Sequence, residues 1–347
     1  VADRFGTVTP NYANDNGPNS WADGVDAGTA PDPWTEAGDD GVATSGDAQV
    51  VIGPGGGELR LGNGGGGGAP SLSRPLDMSE YSTGFGIVRF DYRVSANTDL
   101  DTDQITIECS GTGAAPYTTL GTIDWLDGDV NPNPSGAAAF DLPVGCRTAS
   151  HSLQCRVSAG FTGGGGAEYF FADDVEVRAV GTRTVSAEDD FASGNFTGGS
   201  GWTGAWSLVG TPAVVGNAAR LDGATDAATR VANLAGSPRP VLAVLSFNQT
   251  ASVAPDDLED DDVLVVEASA GGAGGTCATL AAFVNDNPAS NFRSFDLTPY
   301  LSNQTAIRFR VANALEAGEY FQVDNVQIIT GSQTSVVKDN VPGGGND

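Results

Sequence analysis

The sequence predicts an all-β protein folded as two tandem antiparallel β-sandwich domains, and three observations carry that expectation. Recognisable helix-periodic runs are nearly absent, while 49 glycines and a charged fraction of only 17% fit a chain of many strands and turns. Period-two segments rich in aromatic and β-branched residues recur between turn-forming clusters. The strongest of them is written twice: Glu168-Tyr169-Phe170-Phe171-Ala172-Asp173-Asp174-Val175-Glu176-Val177 returns as Glu319-Tyr320-Phe321-Gln322-Val323-Asp324-Asn325-Val326-Gln327-Ile328.

Strict alternation puts Tyr169, Phe171, Asp173, Val175 and Val177 on one face of the first copy. It puts Tyr320, Gln322, Asp324, Val326 and Ile328 on the matching face of the second. Each strand is therefore expected to turn one carboxylate toward its own core. A charge there is costly unless it is hydrogen-bonded, paired or bound to a metal.

The repeat runs through most of the chain. Asp3-Arg4-Phe5 answers Asp189-Asp190-Phe191, and Trp21 and Trp34 answer Trp202 and Trp206. Leu59-Arg60-Leu61 answers Ala219-Arg220-Leu221, Ser73-Arg74 answers Thr229-Arg230, and Phe90-Asp91-Tyr92 is set against Leu245-Ser246-Phe247. Asp103 to Glu108 matches Asp262 to Glu267, Phe140-Asp141-Leu142 matches Phe295-Asp296-Leu297, and Leu153 to Val157 matches Ile307 to Val311. The order predicts modules at 1–180 and 186–330, a short linker over 179–186, and a tail at 331–347. Each module shows roughly eight strand-like segments and no crossover helix, so two sheets should pack face to face. A jelly-roll-like path would bring the first and last strands of each module side by side.

A net charge of −28 disfavours nucleic acid and anionic membrane surfaces and favours cations. No run reaches the ~18–20 apolar residues of a membrane helix. Val1-Ala2-Asp3-Arg4-Phe5 opens almost directly on a strand motif, as a terminus left by signal cleavage would. Four cysteines fit no zinc spacing. Cys146 could bridge Cys155 across the polar stretch 147–154, or Cys109 could be the partner of Cys155; Cys277 stands alone in the second module. A disulfide would fit an oxidising compartment.

At these residues the sequence resembles jelly-roll modules of bacterial secreted and surface proteins, and more widely MAM-like domains and jelly-roll carbohydrate-binding domains. The motifs are Gly201-Trp202-Thr203-Gly204-Ala205-Trp206, Asp262 to Glu267, Phe295-Asp296-Leu297, Ile307 to Arg310 and Tyr320 to Ile328. The first module departs from them, with a stretched Trp spacing, Arg4 in place of an acid and Cys155 in place of a core Phe. The resemblance implies structural calcium held by acids of the first and last strands, here Asp3 with Asp173 and Asp189 with Asp324. Asp174 and Asp190 are secondary candidates. Arg156 and Arg310 are expected to point outward and leave those acids to a cation.

Catalysis has thin support. His151, the single histidine, falls in the polar stretch between Cys146 and Cys155, where a triad would have to be built on a loop. The acidic runs at 256–262 and 99–103 read as solvated loops. Trp21, Trp34, Trp202 and Trp206 fit packing better than sugar stacking, whereas Trp125 has no counterpart in the second module and is the candidate ligand contact. The tail places Val336, Val337 and Val341 in a strand-like stretch able to add to a neighbouring subunit's sheet edge. The expected role is therefore a non-enzymatic, calcium-stabilised, self-associating protein of the cell surface: a filament, sheath or adhesin. A carbohydrate-binding pair is the alternative.

Overall fold

The computed structural model describes residues 2–3, 34–42, 44–53, 56–63, 70–76, 78, 82–95, 104–124, 135–149, 151–157, 168–236, 240–252, 262–284, 291–313, 315–316 and 318–332. The first half of the chain runs β1 (Ala2–Asp3), β2 (Thr35–Ala37), β3 (Ala48–Gly53), β4 (Gly56–Asn63), β5 (Ser71–Leu76) and β6 (Phe85–Val94). It continues with β7 (Gln104–Ser110), β8 (Thr118–Asp124), β9 (Ser135–Leu142), β10 (His151–Val157) and β11 (Glu168–Val180). These strands form a six-stranded sheet, β3-β4-β11-β6-β9 with β1 also on β11, and a five-stranded sheet, β2-β5-β10-β7-β8.

The second half repeats the plan. It runs β12 (Thr182–Asp189), β13 (Ser207–Val209), β14 (Ala213–Val215), β15 (Ala218–Leu221), β16 (Ala227–Ala232) and β17 (Pro240–Ala251). Then follow β18 (Val263–Ser269), β19 (Ala278–Val284), β20 (Asn291–Asp296), β21 (Thr305–Val311) and β22 (Phe321–Ser332). The sheets are β14-β15-β22-β17-β20, with β12 on β22, and β13-β16-β21-β18-β19. In both halves the first strand pairs antiparallel with the last, β1 with β11 and β12 with β22, as a jelly-roll-like path requires. Each sandwich closes over its own apolar cluster; Phe247 meets Phe309 edge-on at 4.9 Å in the second.

Three expectations change. The stretch read as a linker is strand: β11 ends at Val180, β12 starts at Thr182, and Thr182 already pairs with Ser332. The face assignment also fails over the first half of the repeated strand. Phe170, Ala172, Val175 and Val177 are the buried positions of β11, and Phe321, Val323, Val326 and Ile328 those of β22. One extra residue accounts for this: Asp174 and Asn325 each adopt φ 50 at a bulge, which reverses the parity of everything before them. Tyr169, Phe171, Asp173, Tyr320, Gln322 and Asp324 therefore face outward. Finally, Asp173 pairs with Asp91 and Asp324 with Asn248, so Phe90 corresponds to Phe247 and not to Leu245.

The corrected register exposes a seam between the sandwiches. Phe85, Ile87 and Ala139 of the first pack against Leu242, Val244 and Ile329 of the second, with Val180 beside them. Phe85 and Leu242 are equivalent in the repeat, as are Ile87 and Val244. Equivalent aspartates of the two sandwiches are each met across the seam by an arginine, although the two arginines hold different places in the repeat. Asp296 accepts from Arg89 at 2.8 Å, and its counterpart Asp141 accepts from Arg183 at 2.8 and 3.0 Å. Equivalent patches thus meet each other, the arrangement of a two-fold interface within one chain. The approach is close at Gly331, where an added Cβ would lie 2.3 Å from Val180 and 2.5 Å from Phe85.

Candidate functional site

The acids expected to hold a metal lie where β1 and β12 meet the bulges of β11 and β22. In the second sandwich Asp189 is fully enclosed, at 1% exposure. Its Oδ2 accepts from the Arg230 guanidinium and from Trp206 Nε1 at 2.9 Å, and its Oδ1 accepts from the Phe191 N–H at 2.9 Å. Arg230 in turn donates to the carbonyls of Gly204 and Gly198 and lies 5.0 Å from the Trp202 ring centroid. Burial pulls the guanidinium's pKa down, and the charge and hydrogen bond of Asp189 oppose that pull.

The Arg230 guanidinium thus meets the Asp189 carboxylate, and both of its oxygens accept from protein donors. Arg230 reaches the site because β16 turns Ala228, Arg230 and Ala232 inward together. The signal was present in the sequence, as an arginine repeated in both modules within an apolar alternation. The first-module counterpart, Arg74, is also fully buried.

Asp324 stands outside that clasp. It accepts from the Asn325 backbone N–H and side-chain amide, and burial, partly offset by the backbone N–H, raises its pKa with help from Asp190 and Asp189. Asp173 occupies the equivalent place in a more acidic setting. Burial pushes its carboxyl up to about 6; the Asp174 N–H opposes this, and Asp174, Glu58 and Asp91 add to it. Asp3 is seen only through its backbone, which pairs with Val175.

The outer face of the same sheet is tied down by cation–aromatic contacts. Arg60 lies over Tyr169 at 4.2 Å, Arg220 over Tyr320 at 4.1 Å, and Arg93 over Phe171 at 3.5 Å while bonding Glu58. On the outer face of the five-stranded sheet of the second sandwich, Arg308 and Arg310 both reach Glu267, so Arg310 does point outward. Burial raises the Glu267 pKa, but the two arginines outweigh it and leave the carboxyl lowered. A further acidic group joins Glu36 of β2 to Asp39 and Asp40 on the loop after it, where Asp39 and Asp40 cap backbone N–H groups.

The remaining candidates divide. Trp34 and Trp206 are core residues at 2% and 5% exposure, and Trp202 packs against Trp206 at 5.8 Å. Trp125 and the tail valines Val336, Val337 and Val341 lie outside the described residues. His151 is not in a loop but opens β10, opposite Leu76. The disulfide joins Cys109 to Cys146, neither of the pairings considered, because Cys146 sits on a 3-10 turn after β9 that brings it beside β7. Cys277 is a free thiol.

No protein-family model matches the chain, and no curated protein does. Solved structures similar to it include the tandem CBM22-1–CBM22-2 domain of Paenibacillus barcinonensis Xyn10C, at 14% identity, 96% of this chain, 97% of that one and TM-score 0.28. Another is TmCBM61 in complex with β-1,4-galactotriose, at 13% identity, 42% of this chain, 88% of that one and TM-score 0.29. A third is the K1 cleaved adhesin domain of Lys-gingipain from Porphyromonas gingivalis W83, at 18% identity, 45% of this chain, 89% of that one and TM-score 0.27. At these scores the likeness assigns neither ligand nor role, and the architecture rests on the strand pairing itself.

Proposed function

We propose that this chain is a non-enzymatic extracellular protein of structural or adhesive role, assembling with other copies at a cell surface into a filament, sheath or stalk. The observation that carries this reading is the seam. Two sandwiches that grip each other through equivalent apolar patches and two cross-seam Arg–Asp pairs make one stiff block, suited to bearing load. The buried Cys109–Cys146 disulfide supports an oxidising, extracellular setting. Calcium belongs to the proposal at one corner only. Asp173, opposite Asp91 and beside Asp174, gathers carboxylates whose repulsion a divalent cation would relieve, with Asp3 on the adjoining strand. Such an ion would stabilise the corner.

Carbohydrate binding is the alternative; among the described residues Trp34 and Trp206 are enclosed and Trp202 is half-buried, while its candidate contact, Trp125, lies outside them. Electron microscopy of the purified full chain, beside a chain lacking residues 333–347, tests the assembly reading. Polymers from the first and monomers from the second are expected. Polymers from both would remove the tail from the account, and monomers from both would remove assembly.

A further inference from the structure

Residues 207–215 join the two outermost strands on one rim of the second sandwich, β13 of the five-stranded sheet and β14 of the six-stranded one. They read Ser207-Leu208-Val209-Gly210-Thr211-Pro212-Ala213-Val214-Val215, without a charge, in a chain of net charge −28. Leu208, Val209 and Val215 are 40%, 58% and 43% exposed. The corresponding rim of the first sandwich is guarded: β2 carries Glu36, and Asp39, Asp40 and Asp47 lie between β2 and β3. Charges on a sheet edge discourage pairing with a foreign strand, and an uncharged apolar edge invites it. The rims at the other end of the six-stranded sheets, β9 and β20, lie against each other at the seam.

We propose that the β14 edge receives, by strand addition, residues 334–341 of a second copy of this chain. The proposal rests on the assembly reading and names its acceptor. Chain reach decides that the donor is another copy. Val214 stands opposite Ala219 on β15, and Ala219 opposite Val323 on β22. Ser332 lies nine residues beyond Val323, so it is roughly 30 Å from Val214 at ~3.3 Å per residue. Val336 follows Ser332 by four residues and reaches no further than ~14 Å. Val336 cannot touch its own β14, and Val341, nine residues beyond Ser332, spans ~30 Å only with every residue between drawn out. Residues 334–341 therefore cannot lie as a strand along their own β14, whereas a neighbour's β14 sets no such limit. Both flanks of β22 near Ser332 are already taken, by β12 and β17. In an added strand Val337 and Val341 share a face, as alternate residues do, and the rim valines supply apolar surface for it.

The chain's single lysine, Lys338, lies within the proposed donor and gives a specific handle. A photoactivatable amine-reactive crosslinker on Lys338 should link to residues 207–215 of another copy, read by mixing isotopically light and heavy protein before mass spectrometry. In parallel, the full chain, Val215→Lys, the control Val144→Lys at an exposed first-sandwich position, and the chain lacking residues 333–347 are compared by sedimentation. Circular dichroism melts show that each is folded. The full chain and Val144→Lys should pellet as polymer, while Val215→Lys and the truncated chain stay monomeric. If truncation abolishes polymer but Val215→Lys polymerises normally, or the crosslinks fall elsewhere on the second copy, assembly stands and the β14 acceptor is overturned. Crosslinks confined to one chain, on the outer side of β12, overturn the proposal in favour of a folded-back tail. A full chain that never polymerises, or a truncated one that still does, overturns it together with the reading beneath it.

Discussion

Arg89 of the first sandwich donates to the Asp296 carboxylate of the second across 2.8 Å, and Asp296 is at the same time held by the Thr298 N–H at 2.9 Å. This pair locks together two halves that the repeat would let fold as separate beads. With Phe85, Ile87, Leu242 and Val244 buried beside it, the seam should make the two sandwiches unfold together. Gly331→Val puts a side chain where Val180 and Phe85 already stand. It should cost about 1–3 kcal/mol, the usual range for overpacking, and split one melting transition into two. Differential scanning calorimetry would show this. A single, unshifted transition in Gly331→Val would mean that the seam carries little energy.

The Asp189–Arg230 clasp yields a larger effect. Removing one partner of a fully enclosed ion pair leaves the other charge stranded, which typically costs 3–5 kcal/mol. Asp189→Ala should accordingly carry the joint unfolding transition to a much lower denaturant concentration. The double variant Asp189→Leu with Arg230→Met should recover much of the loss. Chelators should not reproduce the effect, because both Asp189 oxygens are met by protein donors.

Asp173 predicts a pH dependence of opposite sign to a paired carboxylate. Burial, with Asp174, Glu58 and Asp91 around it, pushes its carboxyl up to about 6. Between the ordinary Asp value near 4 and 6 the native state keeps a proton that the unfolded chain has released, so stability falls as pH rises through that window. After allowance for solvent screening the penalty above pH 6 is about 1–2 kcal/mol. In chelated protein Asp173→Asn should therefore raise the melting temperature at pH 7 and have little effect at pH 4. Calcium bound at this corner would raise the melting temperature of the parent by mass action, and Asp173→Asn would lose that increment. No response of the parent to millimolar calcium would remove the ion from the account.

The disulfide makes a third kind of prediction. Cys109 and Cys146 close a loop of 37 residues, for which loop entropy suggests roughly 2–4 kcal/mol. Reduction should lower the joint transition of the parent, and in Gly331→Val, where the halves melt apart, it should lower that of the first sandwich alone, since Cys277 of the second is a free thiol. Urea titrations with and without reductant separate the two.

Much of the fold was legible because a period of two survives in most strands and because the module is written twice. Pairing of the first strand with the last followed from the same repetition. What alternation could not reveal was the single extra residue at Asp174 and Asn325. Asp and Asn tolerate positive φ but occur in strands and turns alike, so nothing in their identity marks a bulge. That one residue turned Asp173 and Asp324 outward and removed the physical motive first seen for a metal at both corners. Arg230 was readable as a repeated arginine, yet its partner became clear only when β16 and β12 were brought together. Cys146 misled because a 3-10 turn, not the following strand, carries it to Cys109. The seam was invisible for a different reason. Phe85, Ile87, Leu242 and Val244 are outward-facing in their own sandwiches and gain a purpose only when the second sandwich is present.

The central claim is that the chain is a stiff building block joined to its neighbours by strand addition. A cryo-electron microscopy reconstruction of the assembled full-length protein tests it most directly. The account predicts each double sandwich intact, with residues 334–341 of one copy running as a strand along β14 of the next. Isolated particles under all assembly conditions, or polymers whose contacts leave β14 bare, would contradict it.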